Sequence, residues 1–312
     1  MDVNLHRAAS LYETYGLRYY TDDAKRIVED PAIDLVFIAS NHASHADYAV
    51  DALRAGKSVH IEKPHAVDRD QLRRICLAMS ESAGKVSLGF NRPKSRIGRM
   101  IKNYLDSQSG AALFSWFVAG HKLGPDHWYL RDGEGGRVLG NLCHWTDFTL
   151  WLVAPERRYP IVITPTRCDA PDCDIAVTYV FGDKSVAALV FGARGEPFEG
   201  IREQFAAQRG DVLISMMNFE NLRIDLLDRR IRYSPLFRDQ GHESTIVSSY
   251  AMVRPKPGQT EDGCRVEDIW ETGNLFLRTK DALDANKQIT IHSLEDFQAW
   301  RREAHDHRRQ PA

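Results

Sequence analysis

The sequence predicts an α/β plus α+β chain: a parallel sheet built from βαβ units, then a mostly antiparallel sheet with helices. Three observations lead there. Through about residue 90, apolar strand-like runs alternate with helix-like segments. After Asn91 the pattern turns to closely spaced strands with short turns. A chain of 312 residues is also too long for one small core, so two domains are expected, divided as 1–91 and 92–312.

In the first part, residues 5–15 read as a helix and 17–20 as a short strand. Asp22 and Asp23 are caps for a helix over 24–29, because a short side-chain oxygen accepts a free helix N–H. Ile33-Asp-Leu-Val-Phe-Ile-Ala39 is nearly all apolar, as a strand covered on both faces should be. A helix over 44–55 ends at Gly56, which lacks the Cβ that opposes a left-handed C-cap. A strand at 58–61, a helix from Asp68 to about 83 stopped by Gly84, and a strand at 86–90 follow.

In the second part, 111–119 reads as a strand. Residues 175–181 and 185–191 form an antiparallel hairpin around Gly182-Asp183-Lys184. Further strands are expected at 204–208, 212–217, 222–227 and 230–233, with helices at 139–153 and 267–283.

Composition excludes several classes. Lys plus Arg is 41 and Asp plus Glu is 43, a formal net charge of −2, so nothing points to nucleic acid or a membrane surface. No apolar run approaches the ~20 residues of a membrane helix, and residues 1–10 lack the apolar core of a signal peptide. The five cysteines, Cys76, Cys143, Cys168, Cys173 and Cys264, include no C-x-x-C pair, which argues against a disulfide framework. Cys168 and Cys173 invite a metal reading, but no second pair follows, so no metal is expected and the cytoplasm is the natural compartment. The tail with Arg301, Arg302, Arg308 and Arg309 reads as a solvated, fraying helix end.

Three motifs carry candidate chemistry. Ala39-Ser-Asn-His-Ala-Ser-His-Ala46 lies where a strand gives way to a helix, the edge at which open α/β sheets bind ligands. There Ser40, Asn41 and His45 either touch a nucleotide or only cap the helix. Gly56-Lys-Ser-Val-His-Ile-Glu-Lys-Pro64 ends a second strand at the same edge. Pro64 holds Lys63 extended, and the lysine either stabilises alkoxide-like charge or is simply solvated. Val138-Leu-Gly-Asn-Leu-Cys-His-Trp-Thr-Asp147 follows Gly135 and Gly136. Helical spacing puts Asn141, His144 and Asp147 on one face. A histidine oriented by a carboxylate one turn away is a general acid/base, or else a satisfied buried histidine.

Together these motifs resemble the glucose–fructose oxidoreductase / inositol dehydrogenase (Gfo/Idh/MocA) family. The residues that carry the likeness are Asp34-Leu-Val-Phe-Ile-Ala39, His45-Ala46, Ala52-Leu-Arg-Ala-Gly-Lys57, Glu62-Lys-Pro64, Gly89-Phe-Asn-Arg92 and Gly135 through Asp147. The resemblance implies an incomplete Rossmann-type parallel sheet followed by the antiparallel-sheet domain, and hydride transfer between a sugar or polyol carbinol carbon and NAD or NADP. It implies that Lys63 contacts substrate and cofactor, that His144 moves the hydroxyl proton, and that Asp147 is its carboxylate neighbour. Ser40, Asn41, His45, Glu62, Lys63 and Arg92 would line the cofactor, Asp2 would bind its ribose, and Trp128 and Asn141 would meet substrate. A homo-oligomer formed through the antiparallel sheet is a further implication.

The sequence also departs from that pattern. Gly140 stands where many family members have an aspartate, Asn141 is neutral, and His65 replaces an apolar residue. A dinucleotide site needs a strand, a glycine-rich turn and a helix N-terminus, yet the first glycines are Gly16 and Gly56. Gly133-Glu-Gly135 is only a weak partial match. The resemblance therefore implies that the strand carrying the glycine turn lies ahead of Met1. It would leave the 33–39 strand with an unpaired apolar edge and make the chain marginally stable. Two functions stay open: an oxidoreductase, and a non-catalytic binding or assembly protein on the same scaffold.

Overall fold

The computed structural model describes residues 1–166, 174–198, 200–258, 261–294 and 297; Cys168, Cys173 and the basic tail at 301–309 lie outside them. The chain divides into two compact units. Met1–Gly89 joins with Ile246–Trp270, and Phe90–Thr245 with Glu271–Ala312. The sequence division at 91/92 had put 246–270 in the second domain; the structure groups that stretch with the first.

The first unit begins with α1 (Leu5–Tyr15), capped by the Asn4 side chain and closed by Gly16 in the left-handed region. α2 (Ala24–Glu29) takes its cap from Asp23. β1 (Leu35–Ile38), α3 (His45–Arg54), β2 (Ser58–Ile61), α4 (Arg69–Glu81) and β3 (Val86–Leu88) form two βαβ crossovers. The sheet order is β1-β2-β3, with both pairs parallel. Phe37, His60 and Ser87 stand in register across it. Ser249 and Tyr250 pack on that row: His60 Nδ1 is 2.9 Å from the Ser249 hydroxyl, and the Phe37 and Tyr250 rings are 5.5 Å apart.

Two expectations are corrected here. Residues 17–20 form no strand; a strand exists only by its ladder, and among the described residues none pairs with this segment. β1 is also not covered on both faces: Phe37 is 37% exposed. β2 is buried throughout, whereas β1 is an edge strand, as β3 is on the other side, and pairs, among the described residues, with β2 alone. The unpaired apolar edge expected for 33–39 is therefore present.

The second unit holds α5 (Arg96–Asp106), β4 (Ala112–His121), α6 (Cys143–Leu152), β5 (Ile161–Thr166), β6 (Asp174–Val180), β7 (Val186–Gly195), β8 (Arg202–Arg209), β9 (Val212–Met217), β10 (Asn221–Asp225) and β11 (Arg230–Tyr233). α7 (His242–Val253) and α8 (Val266–Ala285) have residues in both units, and β12 (Ile289–Ile291) completes the sheet. The nine strands run β11-β10-β9-β8-β4-β7-β6-β5-β12, antiparallel except for β4–β7. The β6–β7 hairpin forms as the sequence predicts. Alternation gives the sheet two faces. Phe114, Trp116 and Val118 of β4 and Phe205 of β8 enter the core, while Leu113, Phe117, Val190, Leu213 and Met217 stay exposed on the other side.

α5, α7, β5 and β12 were not expected. α5 carried its signal: Ser95 caps the Gly98 N–H, and Ile97, Ile101 and Leu105 recur every four residues and are all buried. β5 contains Pro165 and β12 has three residues, so neither presents a strand pattern.

Candidate functional site

The carboxyl ends of β1 and β2 carry the first set of candidates. Ser40 and Asn41 are exposed beyond β1. The Ser44 hydroxyl donates to the Asn41 side-chain oxygen at 2.8 Å and lies 2.7 Å from the Ser40 hydroxyl. His45 behaves otherwise. It is 1% exposed, with Nδ1 2.8 Å from the Pro64 carbonyl and Nε2 3.0 Å from the Ser40 carbonyl. Burial lowers its pKa, and the two carbonyls only partly oppose that. The expected nucleotide contact by His45 is thus corrected: the ring is buried between the Pro64 and Ser40 carbonyls, donates to one of them when neutral, and lies between the loop after β1 and the loop after β2.

Glu62 and Lys63 follow β2, and the Lys63–Pro64 peptide bond is cis. The Lys63 N–H donates to Glu62 Oε2 at 3.3 Å, and His60 Nε2 lies 3.5 Å from Glu62 Oε1. Burial acts to raise the Glu62 pKa, but His60 and the Lys63 amide outweigh it and hold the carboxyl below its usual range. The Lys63 residue is half-buried. Gly89 is what lets Glu62 lie there: a Cβ at that position would sit 2.7 Å from Glu62 Oε2 and 3.0 Å from its Cα. His65 is fully buried, donates to the Ile269 carbonyl at 3.1 Å, and has its pKa lowered by burial to about 4. Asp2 precedes α1, and its carboxylate accepts the Asn4 N–H at 2.8 Å.

The second set lies in the other unit, on and around α6. Gly135 and Gly136 adopt positive φ and lead into a π-type turn, Val138–Leu142, that opens the helix. The wider turn rotates Asn141 away from simple helical spacing, and its side-chain oxygen accepts from Arg137 Nη1 at 3.2 Å. Arg137 also donates to the His121 carbonyl. His144 is half-buried, with the Phe90 ring edge-on at 6.1 Å. The Asp147 carboxyl bonds to Thr272 of α8 at 3.2 Å, not to His144, which corrects the expected histidine–carboxylate pair. Burial raises the Asp147 pKa to about 7, a shift that Thr272 and the charges of Arg158 and Arg92 partly offset. Trp128 sits on a short 3-10 turn, half-buried between the rings of His127 and Tyr129.

Arg92 is a further correction. The expected cofactor contact is instead a 5% exposed guanidinium, bidentate to Glu203 at 2.7 and 2.8 Å. Sequence reading missed Glu203, which is 0% exposed. Its signal was parity: Glu203, Phe205, Ala207 and Arg209 share the inward face of β8, so a carboxylate stands where an apolar side chain belongs. A cleft of about 700 Å³ in this unit is lined by residues such as Tyr129, Arg131, Gly135 and Lys280. It includes neither His144 nor Asp147. No group of three or more His, Cys, Asp or Glu among the described residues is placed to hold a metal.

A parallel βαβ sheet with polar residues at its carboxyl edge, joined to an open-faced antiparallel sheet, defines a two-unit nucleotide-binding type of chain. The family model described as "Oxidoreductase family, NAD-binding Rossmann fold" (GFO_IDH_MocA) matches residues 1–90. The scyllo-inositol 2-dehydrogenase (NAD(+)) of Bacillus subtilis (strain 168) is 22% identical over 225 residues, 70% of this chain and 66% of that one. The inositol 2-dehydrogenase of Gluconacetobacter diazotrophicus is 37% identical over 149 residues, 47% of this chain and 43% of that one. The chain thus spans about two thirds or less of these curated relatives. Levoglucosan dehydrogenase in complex with NADH and L-sorbose has the same fold, with TM-score 0.76, 16% identity, and coverage of 93% of this chain and 88% of that one. A dehydrogenase from Chromobacterium violaceum aligns with TM-score 0.76 and 16% identity over 99% of this chain and 90% of that one. Residues 1–90 thus match the NAD-binding Rossmann part of the Gfo/Idh/MocA oxidoreductase family, and the three-stranded parallel sheet there is of the Rossmann type.

Proposed function

We propose that the chain is an NAD(P)-dependent dehydrogenase that acts on a CH–OH group of a sugar or polyol. The observation that carries this reading is the placement of Ser40, Asn41 and Lys63 just past the carboxyl ends of two adjacent parallel strands, where such sheets hold a nucleotide. The names of the relatives supply the substrate class. Exposed hydroxyl and amide groups at Ser40 and Asn41 fit the polar nicotinamide end of the cofactor, while a glycine-rich turn for its pyrophosphate is not among the 312 residues. A bound nicotinamide supplies the hydride acceptor.

The chain's own groups do the rest. The Lys63 ammonium favours the alkoxide-like charge that grows as hydride leaves. His144 takes the hydroxyl proton. Asp147, with its pKa raised to about 7, holds or releases a proton in the physiological range. Trp128 and Asn141 are assigned to substrate, Asp2 to the ribose hydroxyls. Glu62 acts on Lys63 through its amide. The exposed apolar face of Leu113, Phe117, Val190, Leu213 and Met217 supports a homo-oligomer, because patches of this kind are commonly covered. A cytoplasmic setting is part of this reading, since the five cysteines include no C-x-x-C pair and have no disulfide-framework spacing.

A second reading, a non-catalytic scaffold, is favoured by the missing glycine turn together with Gly140 and the neutral Asn141. NADH titration followed by fluorescence separates the two, combined with turnover assays on inositols and levoglucosan. Binding and turnover support the enzyme. His144→Ala should then cut the rate by roughly 10²-fold while NADH affinity holds, and Lys63→Ala should cut it similarly with weaker substrate binding. Failure to bind NADH moves the assignment to the scaffold.

A further inference from the structure

Glu203 is a charged residue placed on the inward stripe of β8, and one of its hydrogen bonds reaches α6. Four donors converge on its carboxylate: Arg92 Nε and Nη2 at 2.7 and 2.8 Å, Trp145 Nε1 at 2.8 Å and Gln240 Nε2 at 2.5 Å. Burial acts to raise its pKa, and the Arg92 charge and these hydrogen bonds overcome that and hold it below the usual carboxylate range. The carboxylate is therefore an anion in a dry place, and its bonds are of the strong, directional, charge-assisted kind. One of them ends on Trp145, the residue next to His144.

The helix needs such a grip. α6 begins from the π-type turn Val138–Leu142, which breaks the regular i→i−4 ladder that would otherwise fix the helix's rotation from its first turn. Fixed points must come from outside. The segment Phe90-Asn-Arg92 provides two: Phe90 lies edge-on to His144, and Arg92, stacked 5.4 Å over the Trp145 ring, closes the carboxylate clamp. The clamp itself sits on β8, which is paired on both sides, to β4 and β9.

We propose that Glu203 is a positioning residue: through Trp145 and Arg92 it sets the rotation of α6 and so the direction in which His144 is presented. The proposal rests on the reading of His144 as the proton-transfer group only for its catalytic consequence; the positioning itself is a property of this unit.

The test replaces Trp145 by benzothienylalanine, which keeps the bicycle but lacks the N–H, and makes Trp145→Phe in parallel. Tyr179→Phe, which removes a buried contact to Thr279 on α8, is the control for burial. Two measurements need no turnover: the His144 imidazole resonances by NMR, and amide hydrogen exchange across 143–147. Loss of the N–H should shift the His144 resonances and speed exchange there about tenfold, the worth of one hydrogen bond to a charge, with no such change in Tyr179→Phe. Where dehydrogenase turnover is present, kcat should fall by about tenfold to a hundredfold with KM held, since misplacement of a reacting group acts on the chemical step. Unchanged resonances and exchange in the benzothienylalanine protein overturn the proposal. A parent protein without turnover would sink the dehydrogenase reading alone, because the NMR and exchange results would still decide the positioning role.

Discussion

The Asp147 carboxyl is held by Thr272 at 3.2 Å, and its other oxygen, Oδ2, is buried without a hydrogen-bond partner. A carboxyl in that state is more comfortable protonated, which is why burial carries its pKa from 3.8 to about 7. Below about pH 4 the folded and unfolded chains both hold this proton. Between pH 4 and 7 only the folded chain holds it, so its neutral form must be kept against a falling proton activity. Stability should therefore drop as pH rises through this window, by up to about 1.4 kcal/mol per unit. Asp147→Asn removes that slope. Denaturant midpoints from pH 4 to 8 should show the variant level with the parent at pH 4 and more stable by about 2–4 kcal/mol at pH 8. Parallel curves would mean that the carboxyl is ionised throughout.

His65 carries the opposite sign. Burial lowers its pKa from 6.5 to about 4, so its contribution is fully present above pH 6.5 and lost as pH falls toward 4. His45, also buried and lowered, acts in the same direction. His65→Met gives up the hydrogen bond to Ile269 at every pH, for about 1 kcal/mol, but should flatten the acid side of the stability profile. The check is the unfolding free energy of the parent minus that of the variant, which should fall by about 2–3 kcal/mol from pH 7 to pH 4.5 and so change sign. A constant difference would show that His65 charges freely in the fold.

What the sequence made legible follows from period and end signals. The βαβ order, the Asp68 cap, the Gly56 stop and the β6–β7 hairpin each have a local cause, and each is where its residues put it. The Ala52-to-Lys57 stretch was legible as a motif but not as a device: Lys57 Nζ donates at 2.8 Å to the carbonyls of both Asp30 and Ile33, closing the loop ahead of β1. The site was less legible because the missing facts are long-range. Nothing near Arg92 in sequence announces Glu203, 111 residues on, and nothing near Asp147 announces Thr272. His45 looked like a ligand contact because its type and position suit one; only its burial between the carbonyls of Ser40 and Pro64 reveals that it faces main chain.

Gly89 offers a local test of the carboxyl edge. A methyl group there would press within 3.0 Å of the Glu62 Cα, a backbone atom that cannot swing aside as a flexible side chain could. Gly89→Ala should cost about 1–3 kcal/mol and displace Glu62 from His60. Gly192→Ala is the matched comparison, since its nearest foreign atom would be Asp174 Oδ1 at 3.8 Å, ordinary contact. That second variant should change stability by no more than about 0.5 kcal/mol. Equal effects would mean that Glu62 is not held where the structure puts it.

The front of the first unit should also open far more readily than its middle. α1 buries one residue of eleven, Ala8, and α2 buries none, whereas α4 buries Gln71, Leu72, Ile75, Cys76 and Ala78. Helices hold mainly by the apolar face they pack, so α1 and α2 have little beyond their caps. β1 beside them has a row of N–H and C=O groups without a ladder partner among the described residues, next to the part-exposed Leu35, Val36 and Phe37. Local opening free energies track buried contacts of this kind. Hydrogen exchange at neutral pH should find α1 and α2 exchanging near the unprotected rate, with α4 and β2 slower by roughly a thousandfold or more, a difference of about 4 kcal/mol in opening energy. The same surface predicts concentration-dependent association through the β1 edge, visible as slower exchange in β1 at high protein concentration. Protection of α1 equal to that of α4, in dilute protein, would show that some contact on its exposed face does the holding.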